Sequence, residues 1–263
     1  RGKPTLHKLL GKTVRTTDPK KLGYDLGIIA GDIVYALAID AFLSIDEAPA
    51  RKEKALRYFI QTAAFTAMGE FIDTVYGVEK LNNVTEKDVF LNYTLKTARY
   101  TFDCPLVVGA ILGGASEKEI SLLSELGILV GQAFQIQDDI IGIYGSQKSI
   151  GKSILSDLAE SKKTLLVCHA YQHLRGKRRK LFLKHFNKPK KTYSDLVAVR
   201  KIFNDAGSLK YSLQEINVRV KKTIDILTRL RMKEKYRDVV KNAIIPIFEQ
   251  SNIIARENHI DIT

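Results

Sequence analysis

Cysteine is scarce in this 263-residue sequence, and its scarcity excludes two architectures at once. Two residues, Cys104 and Cys168, build neither a disulfide framework nor a zinc site. Both read as small buried hydrophobes in a reducing compartment, which fits a cytoplasmic protein. Six prolines and 17 glycines are too few for a loop-rich β protein. No apolar run reaches the ~18 residues that a membrane span needs. Leu26 to Leu43 comes nearest, and Asp32 and Asp40 interrupt it, so no transmembrane segment is expected. Acids are missing between Tyr171 and Lys191, where nine Lys or Arg stand, and this stretch concentrates a formal charge of +13. The plain reading of 175–191 is a solvated helix end and loop. The sharper one is a weak contact with a membrane surface. Nucleic acid is not expected, because there is no aromatic interleaving, zinc finger or RNP-like motif.

What the chain has in quantity is 3.6-residue periodicity. Helical patterns run from Asp25 to about Ser44, from Pro49 to about Tyr76, from Ser208 to about Leu230 and from Lys233 to about Gln250. Thr85-Glu86-Lys87-Asp88, Ser116-Glu117-Lys118-Glu119 and Thr192-Tyr193-Ser194-Asp195 have the form of capping boxes. The first opens a helix containing Lys96, which Pro105 is expected to break or kink at Cys104. The second starts the helix that carries Asp138. Gly109 and Gly113, four apart, form a small-residue stripe for close helix packing. No strand alternation, internal repeat or linker is visible, so one domain over 1–263 is expected.

One apolar helical stretch carries two adjacent acids: Phe134-Gln135-Ile136-Gln137-Asp138-Asp139-Ile140-Ile141-Gly142-Ile143. A buried carboxylate without a partner costs several kcal/mol, so such charges pair, bind metal or face a cavity. Gly151-Lys152 follows, then Ser156-Asp157-Leu158-Ala159-Glu160-Ser161-Lys162-Lys163-Thr164. Carboxylates followed by isolated lysines suit a site that holds a divalent cation and a polyanion together. Mg²⁺ prefers carboxylate oxygen plus substrate phosphate.

These pieces, in this order, resemble the trans-prenyltransferase (polyprenyl diphosphate synthase) family. Its second aspartate-rich motif, FQxxDDxxD, is followed by GK and by DLxEGKxT. Arg1-Gly2-Lys3-Pro4-Thr5 with His7 is similar to the family's RRGxPTxH, and Ala30-Gly31-Asp32 to its AGD. Gly69-Glu70-Phe71-Ile72-Asp73 resembles GQxxD with Glu for Gln. Lys96-Thr97-Ala98 matches KTA, and Gly207-Ser208-Leu209-Lys210-Tyr211 resembles GAxxYA. The likeness runs from residue 1 to about residue 215.

The resemblance implies an all-α fold: a single-domain antiparallel helical bundle around a deep apolar cavity. It implies Mg²⁺-dependent condensation of an allylic diphosphate with isopentenyl diphosphate, giving an all-E product of the geranylgeranyl or farnesyl type, by a homodimer. In that frame Asp138 coordinates Mg²⁺ directly, and Asp139 acts through water or a neighbouring lysine. Lys96, Gln135, Lys152 and Lys162 contact the allylic diphosphate. Thr97 places its hydroxyl near the developing cation, and Arg1 binds isopentenyl diphosphate. Gly142 stands where the family often has a third Asp. Lys163 and Asp32 read as structural ion-pair residues and His7 as a structural histidine. The family's first aspartate-rich motif precedes RRGxPT and has no counterpart here, so the N-terminal helices are expected to be missing from this chain.

Two other readings stand beside this one. A class I terpene cyclase uses related chemistry, but its [ND]DxxSxxxE motif, begun at Asp138, meets Gly142 and Ser146 where Ser and Glu are needed. A non-catalytic or regulatory subunit of a heteromeric prenyltransferase would lack the first motif, but would have no need of Lys96, Thr97, Gln135, Asp138, Lys152 and Lys162. The upstream sequence discriminates these.

Overall fold

The computed structural model describes residues 3–145 and 155–261, and every regular element among them is helical. The all-α class follows from the sequence periodicity. The described residues fall into two compact units, Arg1–Arg57 and Tyr58–Thr263.

The first unit holds α1 (Leu6–Leu10), α2 (Pro19–Leu43) and the opening turns of α3 (Pro49–Val78). Asp18 caps α2 by accepting the Lys21 N–H at 2.9 Å, and Pro19 follows, where a missing N–H costs nothing. A glycine at 23 lets α1 lie directly on α2: a Cβ there would meet the His7 carbonyl oxygen at 2.1 Å. His7 stacks on Tyr24 with ring centroids 5.0 Å apart, the structural part expected of it. The acids do not interrupt α2, which runs unbroken through Asp32 and Asp40. By length and composition alone it could cross a membrane, with mean hydropathy 1.9 over its best 18-residue window. Apart from Gly23, none of its residues is buried.

The second unit continues α3 and adds a 3₁₀ turn at Leu81–Asn83, α4 (Glu86–Tyr93), a π-helical segment (Thr94–Asp103), α5 (Cys104–Leu112) and α6 (Glu117–Tyr144). Then come α7 (Ser156–Ala159), α8 (Leu165–His173), α9 (Gly176–Phe186), α10 (Tyr193–Asp205), α11 (Ser208–Arg229), α12 (Glu234–Ile244), a 3₁₀ turn at Ile245–Phe248 and α13 (Glu249–Glu257). The boxes at Thr85 and Thr192 close from both sides. At Ser116 only the hydroxyl half forms. Glu119 instead accepts the Arg231 N–H at 2.7 Å, tying the start of α6 to the end of α11. The pattern from Lys233 to Gln250 is not one helix. Pro246 cannot donate, and the chain tightens into the 3₁₀ turn around it.

Helix α6 is the axis of this unit. It packs on the π segment, α5 and α11. Leu126, Ile136 and Ile140 from α6 and Leu209, Leu213 and Ile216 from α11 are buried in one core, with Phe182, Phe186 and Phe203. Two glycines of α6 set the approach to the π segment. A Cβ at Gly131 would come 2.3 Å from the Ala98 Cα, and one at Gly127 2.5 Å from the Asp103 Cα. The close-packed stripe is therefore Gly127 and Gly131. At Gly109, where the sequence pattern placed it, a Cβ would meet nothing within 4 Å. The break expected at Cys104 is a change of ladder. The Cys104 N–H reaches back five residues to the Arg99 carbonyl, and the α-helix resumes with Pro105 in its first turn. Asp103, fully buried there, accepts from the Tyr58 hydroxyl at 2.8 and 2.9 Å and from Arg99 at 2.9 Å.

The basic stretch 175–191 is mostly helix α9. One downstream carboxylate answers part of its charge: Asp195 accepts from Lys188 at 2.7 Å and pairs with His185 at 2.9 Å. Hydrogen bonds from Lys188, Thr192 and His185 hold the Asp195 carboxyl well below the usual carboxylate range.

Candidate active site

Several elements of the second unit converge on one polar cavity. Helix α6 presents Gln135, Asp138 and Asp139 along one turn. The π segment presents Lys96 and Thr97, with Asn92 and Tyr93 just before it. The segment between α7 and α8 presents Lys162, Lys163 and Thr164, and Asp73 enters from α3. The cavity measures about 130 Å³, room for a few water-sized groups. Residues scattered from 73 to 164 in sequence thus meet in one place.

The π ladder has a local consequence. Gly69 on α3 lies against the backbone of Lys96, where a Cβ would come 2.4 Å from the Lys96 nitrogen. One turn further on, Asp73 reaches the Lys96 Nζ at 2.5 Å, and Glu70 lies 3.3 Å from the same nitrogen. Asn92 donates to the other oxygen of Asp73 at 2.8 Å. Burial lowers the Lys96 pKa, but the hydrogen bond and charge of Asp73, with Glu70 added, outweigh it, and the net shift is upward. Lys96 is a fixed cation. Glu70, at the position where the family motif has Gln, adds a second carboxylate to it.

The two adjacent acids have opposite surroundings. Asp138 is exposed to the cavity. Asp139 is buried, and both its oxygens are engaged: one accepts from the Tyr93 hydroxyl, the other from Gln135 Nε2 at 3.1 Å. Burial, offset in part by these bonds, pushes its carboxyl up to about 7. The Tyr93 hydroxyl is raised well above its ordinary value by burial and by the Asp139 charge. Thr97 is buried and donates to Gln135 Oε1 at 2.6 Å. Lys162 pairs with Glu160 at 3.1 Å. Lys163 donates to the Gly77 carbonyl at 2.8 Å, and burial lowers its pKa.

Six of the residues expected from the sequence therefore share the cavity: Lys96, Thr97, Gln135, Asp138, Asp139 and Lys162. Arg1 and Lys152 lie outside the described residues. Asp32 and His7 belong to the first unit. Asp73, Asn92, Tyr93 and Thr164 were not named as site residues. Signals for them existed: Asp73 and Thr164 stand in the pieces that resemble GQxxD and DLxEGKxT, and Asn92 and Tyr93 stand four before Lys96 and Thr97.

No group of three or more His, Cys, Asp or Glu able to hold a metal occurs among the described residues. The donor set still fits Mg²⁺, which keeps several waters and binds through one or two carboxylates plus substrate phosphates. Asp138 is the exposed carboxylate of this lining, which also holds Lys96, Lys162 and Lys163.

The chain is similar to several known proteins. The family model described as polyprenyl synthetase matches residues 1–203. The chain is 31% identical over 233 residues to a geranylfarnesyl diphosphate synthase of Aeropyrum pernix, covering 88% of this chain and 67% of that protein. It is 28% identical over 235 residues to a geranylgeranyl diphosphate synthase of Sulfolobus acidocaldarius, covering 89% of this chain and 66% of the relative. A third, from Methanosarcina mazei, is matched over 73% of this chain and 56% of its own length at 30% identity. The chain thus spans about half to two thirds of the curated relatives it matches. Among solved structures, a geranylgeranyl pyrophosphate synthetase from Pyrococcus horikoshii superposes with a TM-score of 0.75 at 26% identity, over 94% of this chain and 75% of that one. A geranylgeranyl pyrophosphate synthase from Corynebacterium glutamicum gives 0.83 at 22% identity, over 95% of this chain and 71% of that one, a likeness of fold. With the match over residues 1–203, and with the second aspartate-rich motif and KTA lysine meeting in one cavity, the chain belongs to the polyprenyl synthetase family.

Proposed function

We propose that this protein elongates an allylic diphosphate with isopentenyl diphosphate, releasing diphosphate and giving an all-E prenyl diphosphate one isoprene unit longer. The observation that carries the reading is the convergence of Lys96, Thr97, Gln135, Asp138 and Lys162 on one polar cavity. The names of the relatives support a product of the geranylgeranyl or geranylfarnesyl class.

The chemistry is ionisation of an allylic C–O bond, so stabilisation has to be aimed at the departing diphosphate. Asp138 would hold Mg²⁺, which would supply charge neutralisation on that leaving group. Lys96 and Lys162 hold diphosphate oxygens from different elements, and their attraction grows as negative charge builds on the leaving group. Gln135 and Thr97, hydrogen-bonded to each other, fix the polar wall beside the reacting carbon. The Thr97 oxygen offers lone-pair density towards the allylic cation. Water has to be excluded while that cation lives, or it is quenched to an alcohol.

We infer further that two copies associate. Helix α2 exposes Ile28, Ile33, Val34 and Leu37 by more than half of each side chain, and such patches mark contact surfaces.

The test is mass spectrometry of products made from isopentenyl diphosphate and labelled allylic primers with Mg²⁺. A labelled prenyl diphosphate extended by isoprene units is expected. Cyclised hydrocarbon, or no consumption of isopentenyl diphosphate, would replace this reading.

A further inference from the structure

Tyr93 has no task in the chemistry above, and yet it occupies the junction of the site. Its side chain is 5% exposed. Its hydroxyl donates to Asp139 and accepts the Leu165 backbone N–H at 3.0 Å. Leu165 opens α8, directly after Lys162, Lys163 and Thr164. The first N–H groups of a helix lack intrahelical partners. Thr164 takes that of Val167, and Tyr93 takes that of Leu165.

From Tyr93 the bonds continue. Asp139 accepts from Gln135 Nε2, and Gln135 Oε1 accepts from Thr97. Thr97 lies four residues after Tyr93 on the same helical stretch. The chain of bonds therefore closes into a ring through α6 and the π segment, with the start of α8 hung on it. An apolar residue at 93 would fill the space but leave a buried carboxylate oxygen and a buried N–H unmatched, a cost that neither group recovers from solvent.

We propose that Tyr93 is a positioning residue: by holding Asp139 and the Leu165 N–H with one hydroxyl, it sets the register between the α6 face bearing Asp138 and Gln135 and the segment bearing Lys162. This rests on reading the cavity as a diphosphate site. The role is indirect. Tyr93 acts through Lys162 and contributes nothing to binding once that lysine is gone.

The decisive variant is Tyr93→Phe, which keeps the ring and its edge-on contact with Phe90. Three quantities are read: amide exchange at Leu165 by NMR, the Kd for inorganic pyrophosphate with Mg²⁺ by calorimetry, and KM against kcat for the allylic diphosphate. Exchange at Leu165 is expected to quicken about tenfold, and Kd and KM to rise by a similar factor with a smaller change in kcat. In a Lys162→Ala background the same substitution is expected to change Kd less than about twofold, since coupled residues are non-additive. Equal losses in both backgrounds would make Tyr93 merely structural, and unchanged exchange at Leu165 would break the link outright. If the wild-type protein bound no pyrophosphate, the diphosphate reading would fall, and exchange at Leu165 would still decide whether Tyr93 holds α8. If Tyr93→Phe does not fold, Asp139→Asn and Asp139→Ala read the same link from its other end. Asn keeps an acceptor and should hold Leu165 at the wild-type rate, while Ala should release it. Identical exchange in both would overturn the proposal.

Discussion

Asp138 and Asp139 differ by one position and by the cost of removing them. Asp138 is exposed to the cavity, so its charge acts on whatever binds there. Asp138→Ala is expected to lower turnover by one to two decades, the worth of a charge-assisted contact of ~1.5–3 kcal/mol, and to leave the urea midpoint unchanged. Asp139→Ala should do the reverse first. It strands the Tyr93 hydroxyl and the Gln135 amide, and about 1–3 kcal/mol of stability should be lost. Paired urea titrations and initial rates check this, and equal stability losses would contradict the assignment. Sequence order located the pair, because two acids in an apolar helix need a cavity or a partner. The resemblance gave the two acids different parts, direct for Asp138 and indirect for Asp139, but not the partner of Asp139, because Tyr93 reaches it from another helix. Nor did it reveal Asp73 as the partner of Lys96, since that contact depends on how closely α3 approaches the π segment.

That approach is set by glycine, and glycine tests it at the scale of the element. Gly131→Ala would drive a Cβ to 2.3 Å from the Ala98 Cα. Backbone cannot give way as a flexible side chain can, so a loss of at least ~1–3 kcal/mol is expected. Gly109→Ala faces open space and should stabilise its helix by up to ~1 kcal/mol through propensity alone. Thermal melts of the two variants separate the cases, and a harmless Gly131→Ala would mean that the helices are not so close. The sequence pattern singled out Gly109 and Gly113 and passed over Gly127 and Gly131, which have the same spacing. Which stripe is covered was not readable, because that depends on the neighbour and not on the helix itself. The helix caps, being local, were legible at Thr85, Ser116 and Thr192. The π ladder was not. It becomes visible only through its five-residue hydrogen bonds, although Pro105 marked where it ends.

At the scale of the whole molecule, one buried histidine and one exposed helix each make a prediction. His169 is buried, faces the Ser208 hydroxyl at 3.1 Å and stacks between His173 and Tyr211. Burial, with a smaller contribution from His173, lowers its pKa to about 4 from an ordinary 6.5. As pH falls below 6.5 the unfolded chain takes up this proton before the folded one does. The stability held above 6.5 is therefore lost down to about 4 and then levels. Urea midpoints between pH 7 and 4 should fall less steeply for His169→Phe than for the wild-type protein, and equal slopes would remove His169 from the balance. The exposed helix bears on the dimer proposed above. Helix α2 leaves Ile29, Ile33 and Leu37 exposed at 53%, 54% and 60%, spaced four apart along its length. A stripe of this kind is costly in water, and a two-fold axis lets one surface cover itself. The same hydropathy would suit a bilayer, but Asp25, Asp32 and Asp40 on the helix would then need partners. Sedimentation equilibrium should give twice the chain mass for the wild-type protein, without detergent, and a mass falling toward the single chain for Ile33→Lys. A wild-type protein of single-chain mass, or one held in solution only by detergent, would remove the dimer and leave α2 to a different partner.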